Sequence, residues 1–507
     1  MEWKAIAARL GALVWGPGML ALLAGTGLLL TVRTRALPLR RFPGEIKKLL
    51  RRPAAAGTKE GGANFTPFEA MTTALAGAVG TGNIAGVAGA LAVGGPGTVF
   101  WMWVSALLGM STKYAEIALA VRYRAADAAG RRFGGPMLTI EKGLGPRWKP
   151  LAGAFALFGG LAAFGAGNAV QSSEIAGAAG ALFGLDRGSC ALILTLLTGF
   201  VLLGGRRGIG RATAALVPLS AGLYLLVGLW AIALHLAELP ALLARIVREA
   251  FSLRAAGGGL LGTAMLRSLR SGFARGVFSN EAGLGSAPIA HAASAGEEPC
   301  AEGTLGVAEV LIDTLLICTV TALCVLLSGV LDEGAAFPSM GEAAACALDR
   351  LLPGRIGSFV VRLSLPLFAF SSILSWACCG ESCWGYLLGD GPVRRTVFRL
   401  LFALACLPGA LGGAGFWWEL SDALNGLMAL PNLIALVLLS GEVAELTRAG
   451  FVKRAPVSRP SAQPRPLAAG RLSAARRSPL PRRSGEGGAR QRWMRPPSRC
   501  GRPKNQG

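Results

Sequence analysis

Hydrophobic positions in this chain come in long runs, not in stripes or alternations. Eleven runs stand near 10–32, 67–90, 97–121, 151–182, 188–204, 212–236, 257–290, 303–330, 357–379, 394–411 and 415–441. A helix needs about 20 apolar residues to cross the hydrocarbon core of a bilayer. The pattern therefore predicts an all-α polytopic membrane protein with about eleven transmembrane helices. Polar positions collect between the runs. Those at about 239–255 keep a helical period, which predicts an amphipathic helix on the membrane surface.

The basic residues between runs predict an orientation. Arg33, Arg35, Arg40, Arg41, Lys47, Lys48, Arg51 and Arg52 form a basic linker after the first run. With that linker in the cytoplasm, alternation also puts Arg122, Arg124, Arg131, Arg132, Arg206, Arg207, Arg211, Arg394 and Arg395 inside. Asp332, Glu333, Glu342 and Asp349 fall outside, and Arg245, Arg248 and Arg254 are a partial exception. The expectation is a multi-pass protein of the cell membrane, N-terminus outside and C-terminus cytoplasmic. The ten runs after the linker divide five and five, so the two halves must enter the membrane from opposite sides. The expected organisation is an extra helix and linker over 1–62 and a core over 63–445, with halves at about 63–240 and 256–445. A tail over 446–507 follows.

Two runs carry polar and glycine interruptions. The first reads Gly77–Ala78–Val79–Gly80–Thr81–Gly82–Asn83 at its middle. Gly leaves helical geometry readily, and Thr and Asn offer the backbone other hydrogen bonds. It reads either as a broken helix that holds a ligand or as a continuous helix with a small-residue packing face. The second interruption favours the break: Arg275–Gly276–Val277–Phe278–Ser279–Asn280–Glu281–Ala282–Gly283–Leu284–Gly285–Ser286–Ala287–Pro288 opens the second half. Paired breaks at matching places of inverted halves point to a secondary transporter with its site at mid-membrane. The predicted break residues are Gly80, Gly276, Ser279, Asn280 and Gly283.

Composition agrees: 52% of the 507 residues are hydrophobic, 16% are charged, and the mean hydropathy is +0.51. The net charge of +23 is largely a tail effect, because Lys453–Gly507 holds fifteen Lys and Arg against the single acid Glu486. That Pro-, Ser- and Arg-rich stretch is expected to be disordered and solvated, with no nucleic-acid partner. The ten cysteines lie mostly in apolar runs; even Cys378, Cys379 and Cys383 have no nearby His, so they read as small hydrophobes. The first run lacks a basic start and an evident cleavage site, so it reads as a retained helix. Gly204–Gly205–Arg206–Arg207–Gly208 lacks the Lys–Ser/Thr of a phosphate loop and reads as a turn. No cofactor, catalytic motif or ATP-binding module is evident, so transport would draw on an ion gradient.

Half-helix ends give such a break its chemistry. Free N–H groups near Thr81, Gly82 and Asn83 suit a carboxylate, and carbonyls near Gly276–Phe278 suit an ammonium or a sodium ion. Ser371 and Ser372 offer hydroxyl oxygens, or else bond back to their own helix. Asn168 and Gln171 are mid-run amides. Lys113 and Glu116 are spaced for a local ion pair. Glu281 is a costly intramembrane carboxylate. It could bind a cation, or lie wet near a helix end. A gate or packing partner for a basic residue such as Arg275 fits best. His235 and His291 sit near run ends and need no proton-relay role.

These residues resemble the alanine or glycine:cation symporter family, also called sodium:alanine symporters. The matching motifs run from Gly77–Val87 through Gly94–Gly97, Gly134–Met137 and Phe278–Pro288 to Phe368–Leu374, Gly380–Glu381 and Asp422–Asn432, covering about 65–445. The resemblance implies a LeuT-like five-plus-five inverted repeat with one extra N-terminal helix. It implies sodium-coupled import of alanine, glycine or a similar small amino acid. By motif, Thr81, Gly82, Asn83, Gln171, Phe278 and Trp376 would contact substrate. Sodium would lie between the first core helix and Ser371–Ser372. The chain departs from the family pattern at Leu138–Thr139 and Cys378–Cys379, where aromatics are usual. Competing readings are a proton-coupled symporter using Glu281 and a transporter-like sensor or channel.

Overall fold

A computed structural model describes residues 11, 14–51, 64–127, 130–251, 263–332, 337, 339–412 and 414–451. The basic tail beyond residue 451 lies outside them, and the described residues belong to one compact unit, Met1–Ala455. Each predicted run coincides with a helix or a pair of helices. Among the described residues, six helices are long and apolar enough to span a membrane alone, and two bent pairs pass the same test together.

The extra N-terminal helix is Pro17–Arg33, and the predicted linker is itself a helix, Leu37–Arg51, reached through a 67° bend. Arg35 and Ala36 make that bend in left-handed geometry, with φ of 55° and 53°. The core follows in ten numbered helices. Core helix 1 is Pro67–Ala78 plus Ala85–Gly94, core helix 2 is Gly97–Tyr123, and core helix 3 runs over Pro146–Phe183 with a π-helical stretch at Gly165–Val170. Core helices 4 and 5 are Arg187–Leu203 and Gly205–Leu234. Core helix 6 is Thr263–Asn280 plus Ala287–Ala292, and core helix 7 spans Pro299–Leu327. Core helix 8 is Ile356–Leu388, core helix 9 is Pro392–Leu404 with Cys406–Leu411, and core helix 10 is Ala414–Leu438. The predicted surface helix is Leu239–Ala250, which buries Leu242, Ile246 and Ala250.

Leu196, Phe200, Leu203, Leu226 and Val393 are each more than 60% exposed, as side chains facing lipid would be. Core helices 1, 6 and 8 are instead buried at their centres. Close approach is set by small residues. A Cβ on Gly276 would stand 2.7 Å from Ser105 Oγ, and one on Gly303 would stand 2.8 Å from the Tyr114 ring. Without a hydrophobic drive between helices in lipid, such contacts hold the bundle through dispersion.

Candidate substrate and cation site

Core helix 1 starts with a capping box: Thr66 Oγ1 accepts from Glu69 N–H at 3.2 Å, and Thr66 N–H donates to Glu69 Oε2 at 2.8 Å. Its last regular bond is Val79 N–H to Leu75 O. The next donor, Gly80 N–H, turns to Asn83 Oδ1 at 3.0 Å, which frees the Ala76 carbonyl from its normal partner. Thr81–Asn83 form a 3₁₀ turn, and the chain restarts as Ala85–Gly94 after a 58° bend. Gly80 has extended backbone (φ −140°), so geometry does not demand glycine there. Space does: a Cβ would stand 3.0 Å from Ser372 Oγ and 3.7 Å from the Gln171 amide.

The freed oxygens meet core helix 8. Ser372 Oγ lies 2.8 Å from Ala76 O, 3.4 Å from Val79 O and 3.0 Å from Phe368 O. Ser371 Oγ donates to the same Phe368 carbonyl at 2.8 Å. Three carbonyls and two hydroxyls thus converge, a set of hard oxygens suited to an alkali cation.

The second break differs from its sequence reading. Core helix 6 runs unbroken through Gly276 to Asn280, and Val277 O is used by Glu281 N–H at 2.9 Å. Gly276 is a packing position against core helix 2, and the carbonyl of Val277 is not free. The break lies at Glu281–Ser286, where Glu281, Gly283 and Gly285 have φ of 53°, 95° and 87°. Ser279 and Asn280 stand at its edge, and Gly283 within it.

Asn83 and Ser279 converge on a residue missed in the sequence. Asp313 is fully buried in a π-helical stretch of core helix 7, Leu311–Cys318. Its Oδ1 accepts from Asn83 Nδ2 at 2.5 Å, and its Oδ2 accepts from Ser279 Oγ and Thr314 Oγ1, both at 2.7 Å. A single acid inside the apolar run Val310–Leu311–Ile312–Asp313–Thr314–Leu315 was the available signal. The Asn83 side chain is therefore spent on the break and on Asp313.

Thr81 Oγ1 and Gln171 Oε1 are buried and have no hydrogen-bond partner among the described residues. Gln171 faces Gly80, while Phe278 and Arg275 face Gly82, with Arg275 3.4 Å and Phe278 3.8 Å from where a Cβ would be. The Arg275 guanidinium stacks over Phe278 at 4.9 Å. These two, with Gly86, Trp418 and Asp422, line a vestibule of about 740 Å³. Trp376 is apart from that vestibule. It packs on Gly167 and lines a small cavity with Glu281.

Two predicted pairings change. Glu281 meets Ser286 Oγ rather than Arg275. Lys113 donates to Asn280 O at 2.8 Å and lies 3.7 Å from Glu309, while Glu116 accepts from Gly283 N–H at 3.1 Å and from Asn432. His291 is no bystander: it bridges Glu302 and Glu309 at 2.7 Å and 2.6 Å. Asn168 is a helix tie, donating to Phe402 O at 2.6 Å. The end of the bundle opposite the vestibule is laced by charge. Arg399 and Arg206 reach Glu381 at 2.6 Å and 3.6 Å, and Arg131 reaches Asp127 at 2.7 Å.

The family model described as "Sodium:alanine symporter family" matches residues 1–460. The sodium/alanine symporter AgcS of Methanococcus maripaludis is 41% identical over 456 residues, 89% of this chain and 97% of that protein. This chain belongs to the sodium:alanine symporter family. A putative sodium/proton-dependent alanine carrier protein of Bacillus subtilis, YrbD, is 35% identical over 85% of this chain and 89% of its own. MhsT, solved in complex with L-phenylalanine, superposes with a TM-score of 0.50 at 14% identity, over 75% of this chain and 98% of its own. That likeness bears on fold alone, and it agrees with the LeuT-like arrangement of two broken helices. Membership makes the chain a multi-pass, cation-coupled amino-acid symporter. Its family is one of transporters.

Proposed function

We propose that this symporter imports alanine, glycine or a similar small neutral amino acid with sodium, by alternating access. The supporting observation is the oxygen set of Ala76 O, Val79 O, Phe368 O, Ser371 Oγ and Ser372 Oγ beside the first break. Sodium would replace the hydroxyl protons as the partner of those carbonyls, tying core helix 1 to core helix 8. The substrate carboxylate would take the first N–H groups of the 3₁₀ turn, at Thr81 and Gly82, which have no helical acceptor. Its ammonium would take Gln171 Oε1 and the carbonyl end of Thr263–Asn280. Phe278 would cover it from the vestibule, and Trp376, against Gly167, would limit side-chain size from the other side. Asn83 serves by shaping the turn. The core at 63–445 works as two inverted halves, with the N-terminus outside and the C-terminus in the cytoplasm.

Radiolabelled alanine uptake into proteoliposomes tests this. Accumulation above equilibrium with an inward sodium gradient, and none with an equal potassium gradient, is expected. Equal uptake in both would remove sodium. A second reading, proton coupling, is favoured by buried Asp313, whose described partners are all neutral donors. Accumulation driven by a proton gradient without sodium would establish it.

A further inference from the structure

Glu281 has no place in the site above. It is buried, in a backbone conformation that side chains rarely adopt, and no basic residue pairs with it among the described residues. Lys113, the cation on the neighbouring core helix 2, is engaged by Glu309 and by Asn280 O. The carboxylate faces a small cavity of about 10 Å³, room for one water-sized particle. Its polar lining is Glu281, Ser286 and Ser375; Ala74, Ile289 and Trp376 supply apolar wall. Ser286 Oγ donates to Glu281 Oε2.

Gly77 keeps this cavity open. A Cβ there would stand 2.9 Å from Ser375 Oγ and 3.3 Å from Glu281 Oε2. Gly77 lies inside the regular helix Pro67–Ala78, where glycine is otherwise a poor choice. Ser375 is one turn beyond Ser371 and Ser372 on core helix 8, on the side away from the vestibule. A buried carboxylate with no cation at ion-pair distance among the described residues, two hydroxyls and room for one small particle describe a receptor for a monovalent cation.

We infer that Glu281, Ser286 and Ser375 form a second sodium site, one turn further along core helix 8 than the Ser371–Ser372 set. The inference rests on the sodium-symport reading above. An ion leaving the first site away from the vestibule would pass Gly77 and meet Glu281. The acid explains the cost of the left-handed backbone at residue 281: it brings the carboxylate to the cavity where the helix has ended.

The test is binding of radioactive sodium to the purified full chain without amino acid. The intact protein should bind two ions, and Ser372→Ala should remove one of them. Glu281→Gln and Gly77→Ala should each remove the other, lowering saturation by about half. Gly77→Ala keeps the acid and favours the helix, so it carries the test if Glu281→Gln does not fold; Ser375→Ala serves as a third variant. Unchanged sodium binding in both Glu281→Gln and Gly77→Ala would overturn the inference. So would a proton taken up at this site instead, seen as pH-dependent proton release that Glu281→Gln abolishes while bound sodium stays constant. Loss of the Glu281-dependent ion with Ser372→Ala inert would sink the first site and leave this one standing.

Discussion

The two helix breaks look alike in sequence and are built on opposite principles. The first, Val79–Asn83, uses no left-handed residue. A side chain, Asn83, takes the Gly80 N–H that the helix would have used, and the helix loses its thread. The second, Glu281–Ser286, is made by the backbone itself, with three residues at positive φ. The first break leaves carbonyls free beside two hydroxyls. The second is tied down by its neighbours: Gly283 N–H donates to Glu116, and Gly283 O accepts from Asn432 Nδ2 at 3.0 Å. A break made by one side chain can open oxygens to a ligand. A break made by backbone geometry is a fixed pivot.

The largest expected effect removes the side chain that makes the first break. Asn83→Ala should cost about 3 kcal/mol, because it leaves Asp313 buried without its amide donor. Thermal unfolding of purified protein should show the loss, and Asp313→Asn should restore part of it. Full stability in Asn83→Ala would mean that the break holds without its strut.

Next come the glycines, which separate the two breaks most directly. Gly283→Ala should destabilise by about 2 kcal/mol, from strained φ and a Cβ 2.8 Å from Leu23. Gly80→Ala should cost about 1 kcal/mol and lose transport, since its backbone tolerates a side chain but a Cβ would press on Ser372 Oγ at 3.0 Å. Gly80→Val should abolish transport outright. Normal uptake in Gly80→Val would separate the first break from the substrate site.

Serine substitutions sharpen the first break further. Ser372→Ala should raise the sodium concentration for half-maximal uptake at least about 10-fold, as the loss of one oxygen that touches both helices. Ser371→Ala should raise it about 3-fold, because Ser371 bonds within its own helix. Equal shifts would contradict the geometry. The smallest effect is expected at the vestibule. Arg275→Lys keeps the charge and loses the planar stack on Phe278, worth about 0.5–1 kcal/mol. Apparent substrate affinity should fall about 2–5-fold with sodium dependence unchanged.

The general plan of the molecule was legible because bilayer thickness acts on sequence locally. Among the described residues, each of the eleven apolar runs falls on a helix or helix pair, and the surface helix at Leu239–Ala250 lies where it was expected. The first break was legible too, from Gly, Thr and Asn within an apolar run. The second was legible as a break but placed too early, at Gly276. A glycine that admits a bend and a glycine that admits a neighbouring helix are the same letter, and only Ser105 across the interface tells them apart.

Partners were not legible. Lys113 and Glu116 share a helix face by spacing, yet each turns to another helix, and Glu281 meets Ser286 instead of Arg275. Asp313 was missed and His291 read as needing no role because their partners lie on other helices, or beyond a break, which spacing along one helix does not show. Sequence alone determined that the chain is a multi-pass membrane protein and that two of its helices are interrupted. These follow from hydrocarbon thickness and backbone chemistry, both short-range constraints. Which oxygens converge on Ser372, and which buried acids have no cation at ion-pair distance among the described residues, only the tertiary structure decided. Those pairings depend on how close small residues let the helices come.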